Sequence, residues 1–186
     1  REELSDMNPV NPEAIGVFGL IAAVWCFGLE QLGFGVKGGD HKEISKSLAY
    51  IAILFGGVTQ LYTALHMYLF NITGNTDTSI YLGTVFGFFG LFWTLVGIFF
   101  LKGGDKKQIA HFFGIGFLLV VSFTVKALQL GLVWPLGVTL MIICALLFVL
   151  PPAWYGKGEI FTKIAGICNI LIGICAIPIF LHAIGL

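Results

Sequence analysis

Long apolar stretches alternate with short polar connections along the whole chain. Six of these stretches are close to free of charged side chains, and each is long enough to cross roughly 30 Å of hydrocarbon as a helix. They cover approximately residues 14–34, 46–70, 79–101, 108–130, 132–154 and 160–184. Backbone polar groups in lipid must be satisfied within the protein itself. The pattern therefore predicts an all-α integral membrane protein, in which residues 1–186 form a single six-helix transmembrane bundle.

The composition is typical of an integral membrane protein. It is 58% hydrophobic and only 11% charged, whereas soluble domains average about 25% charged residues. We therefore predict a multi-pass protein of the cytoplasmic membrane. The net charge is zero and no basic cluster stands out, so we expect no nucleic-acid partner. The acidic start "REELSDMNPVNPE" argues against a signal peptide, whose first region is basic.

Lysines accumulate in alternate connections and predict how the chain is oriented. Eight of the ten basic residues flank the first, third and fifth connections: Lys37, Lys42, Lys46, Lys102, Lys106, Lys107, Lys157 and Lys163. Cytoplasmic connections carry an excess of lysine and arginine. The count therefore places these connections in the cytoplasm and both termini outside.

The third stretch carries a stripe of small residues between bulky aromatic ones. Its small residues are spaced four, three, four and three apart: Gly83, Gly87, Gly90, Thr94 and Gly97. Such stripes let membrane helices approach closely, and similar ones in other stretches favour a small bundle that forms a homo-oligomer. For most of the aromatic residues beside the stripe, packing or lipid contact is the favoured interpretation, and narrowing of a pathway is the alternative.

Polar side chains in the middle of apolar stretches are the best candidates for function, because they are costly in a membrane. Thr59 and Gln60 lie in the second stretch and Asn169 in the last. For Gln60 and Asn169, interhelical hydrogen bonding and the lining of a pore remain equally open. We find no Ser–His–acid set, no paired metal ligands and no row of carboxylates. The sequence therefore predicts neither an enzyme nor a bound metal or cofactor.

Three stretches resemble motifs of the acetate uptake transporter family, the succinate–acetate permease group. "NPEAIGVFGL" resembles its NP-x-x-x-G-x-x-G start, "FGGVTQ" its aromatic-Gly-Gly-x-x-Gln segment and "FFGLFW" its Tyr-Gly-x-Phe-Trp segment. The last helix is also similar. The residues that carry the match, and that we expect to shape helix packing, are Pro12, Gly16, Gly56, Gly57, Gly90 and Trp93.

This resemblance implies a hexamer in which each six-helix protomer has its own pore for a small-molecule solute, a monocarboxylate such as acetate. It also implies a hydrophobic gate midway along the pore, formed by Leu20, Phe89 and Leu140. The polar candidates along the pathway are Asn11, Thr59, Gln60 and Asn169. The chain departs from the family pattern at Phe89, where the family has a tyrosine, and at Glu13, which directly follows Asn11-Pro12.

Two alternatives remain open at the level of the sequence. "FGFFGLFW" and the last helix with Pro178 are also similar to the amide and urea channels of the AmiS/UreI type, which are six-helix hexamers with their termini outside. The charge-derived orientation fits these channels and is opposite to the one expected for the acetate family. We favour the acetate channel because three of its motifs occur together. A non-transporting accessory subunit of a membrane complex is the second alternative.

Overall fold

The computed structural model describes residues 12–35 and 39–186, and within these ranges all regular structure is helical. In these two ranges, six helices are long and apolar enough to cross a membrane. They are α1 (Glu13–Leu32), α2 (His41–Phe70), α3 (Thr76–Lys102), α4 (Lys106–Gln129), α5 (Val133–Trp154) and α6 (Glu159–Ala183). The predicted all-helical, six-span class is therefore confirmed.

Helix α2 differs most from its predicted span, because it begins at His41 and not near residue 46. The side chain of Asp40 caps it by accepting a hydrogen bond of 2.8 Å from the backbone N–H of Lys42. Capping satisfies an N–H that has no partner within the helix. A polar first turn can therefore extend the helix beyond its apolar part, which the hydropathy pattern alone does not register.

The helices form a ring in the order of the sequence, and α6 packs along α1. Neighbouring backbones are close everywhere in the ring except between α3 and α4. Side chains join these two helices instead. The hydroxyl of Tyr81 donates to the carbonyl of Phe123 at 2.8 Å, and the ring centroids of Phe88 and Phe123 are 5.8 Å apart.

The small residues of α3 face α2, and we call them the glycine seam (Gly83, Gly87, Gly90, Thr94 and Gly97). A methyl group on Gly90 would lie 2.7 Å from Cγ of Leu61, and one on Gly97 would lie 2.5 Å from Cγ1 of Ile53. Both distances are too short for real carbon atoms. The absence of side chains is thus what lets the α3 and α2 backbones approach each other this closely.

Glycines also set the contact between α1 and α2. A methyl group on Gly16 would lie 2.6 Å from the hydroxyl oxygen of Thr63, and that hydroxyl donates to the carbonyl of Pro12 at 2.8 Å. One turn later, a methyl group on Gly19 would collide with the carbonyl of Phe55 and the hydroxyl of Thr59. The start of α1 is therefore fixed against the middle of α2.

The middle of α2 is wound as a π-helix over Ala52–Val58. Such short, wide turns are rare and are often found at functional sites. This one contains Gly56 and Gly57. A methyl group on Gly56 would lie 2.5 Å from Cγ of Trp93, so the indole of Trp93 rests directly against the α2 backbone.

The aromatic side chains of α3 point into the bundle, so within the favoured interpretation of packing or lipid contact the structure shows packing for most of them. Those of Phe86, Phe89, Phe92 and Trp93 are buried. The side chain of Leu91, in contrast, is 63% exposed and faces outward. In lipid the inner and outer faces of a helix are both apolar, so hydrophobicity did not distinguish them.

Candidate solute pathway

A small apolar cavity lies at the centre of the ring, and we call it the central constriction. Its volume is about 20 Å³, which is space for roughly one water molecule. Four helices line it: α1 with Leu20 and Val24, α3 with Phe89, Phe92 and Trp93, α5 with Ile143, Leu146 and Leu147, and α6 with Ile172. Cavities lined in this way remain dry. The centre of the bundle is therefore closed to a hydrated solute in this conformation.

Two of the three proposed gate residues meet at the central constriction. Leu20 and Phe89 both line it, from α1 and α3 respectively. Leu140 lies on α5 about one helical turn before Ile143 and is buried, but it does not line the cavity. The structure thus places Leu140 next to the constriction, on the side of the chain termini.

A wider cavity opens at the lysine-rich end of the bundle, where the first, third and fifth connections lie. We call it the vestibule. Its volume is about 560 Å³, and it includes polar side chains from five parts of the chain: Glu30 and Gln31, Ser45, Lys106, Tyr155, and Thr162. The hydropathy pattern gave no indication of this cavity, because it depends on how six helix ends are arranged. The sequence did show that Glu30 and Gln31 lie near the end of the first span.

Aromatic rings separate the vestibule from the central constriction. The ring of Phe27 lines the vestibule and is 5.2 Å from the ring of Trp93, which lines the constriction. On the other side, Phe113 contacts both Phe92, at 5.5 Å, and Trp154, at 5.0 Å. A solute that moves between the two cavities therefore has to pass between aromatic side chains.

Asn169 forms an interhelical hydrogen bond at the edge of the vestibule. Its Nδ2 donates to Oε1 of Gln31 at 2.9 Å, which joins α6 to α1. Its Oδ1 is buried and has no partner within the described residues. The structure therefore shows Asn169 in an interhelical hydrogen bond. Asn169 itself lines neither cavity, whereas its partner Gln31 lines the vestibule, and a role for Asn169 in lining a pore stays a prediction.

Gln60 lies within α2 and is only 1% exposed. It shares a helix face with Gly56 and Thr63, which contact Trp93 and the start of α1. Its Nε2 is buried without a hydrogen-bond partner in the described part of the chain. A buried polar group without a partner costs about 1–3 kcal/mol. Packing alone therefore does not explain why this position carries an amide side chain.

The remaining predicted residues take part in helix contacts. The hydroxyl of Thr59 donates to the carbonyl of Phe55 within α2, and the residue packs against Gly19. Pro12, Gly16, Gly56 and Trp93 lie at the contacts described above. The two other residues that carry the family resemblance also lie at helix contacts: Gly57 packs against Thr94, and Gly90 packs against Leu61. Asn11 lies outside the described residues. Within residues 12–35 and 39–186, no group of His, Cys, Asp and Glu side chains is arranged to hold a metal ion.

Comparison with solved structures gives a match over almost the whole chain. It is similar to the bacterial acetate channel SatP, with a TM-score of 0.75 and 20% sequence identity over 94% of this chain and 91% of that chain. The chain has the fold of a bacterial acetate channel. No family model matches the sequence, and no match was found among curated proteins. The fold implied by the resemblance to the acetate uptake transporters is thereby confirmed.

Proposed function

We propose that this protein is a channel for small monocarboxylates such as acetate, with a pathway through the centre of the protomer. The observation that carries the proposal is the central constriction, which lies inside a ring of helices with the fold of an acetate channel. Leu20 and Phe89 form the gate, and Leu140 supports it from the adjacent turn of α5. Rotation of the Phe89 ring away from Leu20 widens the central constriction, and movement of the rings of Phe27 and Trp93 connects it to the vestibule.

The chemistry of the constriction favours the neutral acid over the anion. An ion that leaves water for an apolar site without partners is strongly disfavoured, and the constriction is lined by apolar and aromatic side chains. A protonated carboxylic acid carries no charge and needs only one donor and one acceptor. Gln60 and Asn169 do not line the constriction, but their buried, unpartnered Nε2 and Oδ1 are the donor and the acceptor that we propose the opened pathway offers.

We further propose that six protomers assemble into a hexamer in the cytoplasmic membrane, with the vestibule opening to the cytoplasm and both termini outside. The support for this orientation is the concentration of lysines at the vestibule end. Single cysteines placed near residue 186 and in the connection after Lys102 test it. Labelling of intact cells by an impermeant maleimide should reach the first and not the second, and the reverse result would invert the orientation.

The function is tested by paired flux measurements in proteoliposomes, with radiolabelled acetate and urea on one preparation and protein-free vesicles as the background. Acetate uptake above that background, increasing as the pH falls and competed by other short acids, is the expected result. Urea uptake without acetate uptake would instead indicate an amide or urea channel. If neither solute moves through correctly folded protein, an accessory subunit becomes the function to pursue.

A further inference from the structure

The two charged side chains that the structure places in the vestibule wall differ in depth. Lys106 is the first residue of α4 and is exposed at the mouth. Glu30 is half-buried and lies one turn of α1 beyond Phe27. The ring of Phe27 contacts Trp93 in the wall of the constriction. A solute that enters from the vestibule therefore meets Lys106 first and Glu30 second.

Acidic and basic groups approach Glu30 from several helices. Asp40, which caps α2, and Glu43 in its first turn line a shallow groove on the other side of Glu30, and His41 is the first residue of the same helix. Across the vestibule stand Lys106 and the hydroxyl of Tyr155, while α3 and α6 contribute only uncharged side chains, Val96, Phe99, Phe100 and Thr162. Within the described residues, no ion pair involves Glu30.

We propose that Glu30 is a specificity-determining residue, which repels carboxylate anions from the constriction and favours the neutral acid. The proposal rests on the channel function given above. Its physical basis is the difference in solvation between the two charges. Lys106 is in water and its field is screened over about 10 Å or less. Glu30 is partly withdrawn from water, where a charge acts more strongly on its neighbours. Lys106 gathers anions at the mouth, and Glu30 then selects the protonated form.

The direction of the pH effect follows from the charges. Near neutral pH the solute is mostly an anion, so removal of a charged carboxylate at Glu30 should increase acetate flux. In acid the solute is mostly neutral and insensitive to that charge, so the same removal should have little effect. A purely structural role for Glu30 would instead change the flux by the same factor at every pH.

The test compares wild-type protein with Glu30→Gln in proteoliposomes across a range of pH. We expect Glu30→Gln to raise acetate flux roughly threefold to tenfold at about pH 7, and to change it by less than a factor of about two at about pH 4. Glu43→Gln is the matched control, because it removes a carboxylate at the same end of the bundle but outside the vestibule. Its profile should follow that of the wild type.

Lys106→Glu provides an independent test at an exposed position. A second carboxylate at the mouth should lower acetate flux at neutral pH and leave the flux at acidic pH unchanged. The inference would be overturned if folded Glu30→Gln protein had the pH profile of the wild type. It would also be overturned if its acetate flux were reduced by the same factor at every pH. If Glu30→Gln does not fold, Glu30→Ala takes its place in the same comparison, and a wild-type pH profile for that variant overturns the inference. Absence of acetate flux through the wild type would overturn the channel function instead.

Discussion

Helix α3 presents two different surfaces to its neighbours. Towards α2 it offers the glycine seam, where backbones approach so closely that a single added methyl group at Gly90 or Gly97 would collide. Towards α4 and the centre it offers aromatic rings, and α3 and α4 contact each other through those rings and not through their backbones. One surface fixes the position of α3, and the other fills space.

This difference indicates where a pathway can open. Movement at the seam would require whole helix backbones to separate, because the glycines of α3 have no side chain that could rotate out of the way. At the aromatic surface, rotation of a few rings changes the free space without moving a helix. The central constriction lies on the aromatic surface of α3. We therefore expect substitutions at the seam to affect assembly and substitutions at the rings to affect flux.

The largest effect is expected at the seam. Gly90→Leu should prevent recovery of folded protein in mild detergent, because its side chain would overlap Leu61 of α2. Gly90→Ala is the graded version and should cost about 1–3 kcal/mol. Gly87→Ala is the matched control, since its methyl group would make an ordinary contact at 3.6 Å with Cβ of Ala64. Thermal unfolding in detergent measures both, and equal melting temperatures for the two alanine variants would show that the seam does not hold α3 in place.

A change in flux is expected at the constriction. Phe89→Ala should raise acetate flux severalfold, because it removes one wall of a cavity that holds about one water molecule. Phe89→Leu is the milder variant if the alanine variant folds poorly. Leu91→Ala is the control, two residues away on the exposed face of α3, and should leave flux unchanged. Unchanged flux through well-folded Phe89→Ala protein would remove Phe89 from the gate.

Gln60 allows stability and transport to be separated. Gln60→Leu removes a buried amide N–H that has no partner, so the melting temperature should stay the same or increase. Acetate flux should nevertheless fall, since the proposed pathway would lose a hydrogen-bond donor. Both quantities are measured on one preparation. A marked loss of stability would show that Gln60 has a structural partner, and unchanged flux would take it out of the pathway.

The smallest effect is expected at the hydrogen bond between Asn169 and Gln31. Asn169→Leu should destabilise the protein by about 0.5–1 kcal/mol, the usual value for such bonds between membrane helices. A double-mutant cycle with Gln31→Leu isolates the coupling between the two side chains. A coupling energy near zero would show that the bond contributes nothing to the contact between α1 and α6.

The sequence alone was sufficient for the six helices and for the small-residue stripe of α3. A helix that spans lipid needs a long apolar stretch, and close helix contact needs small residues at intervals of three and four. Both requirements are local and can be read along the chain. The candidates Leu20 and Phe89 came from motif resemblance, and the structure brings them to one cavity. Their role as a gate stays a prediction.

Tertiary structure alone decided which faces point inward. The aromatic residues of α3, the pairing of Asn169 with Gln31, and the vestibule around Glu30 and Lys106 all depend on how helices far apart in sequence are arranged. The physical reason is the solvent. In water, hydrophobic side chains mark the inside of a protein, but in a bilayer the inside and the outside are both apolar, so packing between helices makes the choice.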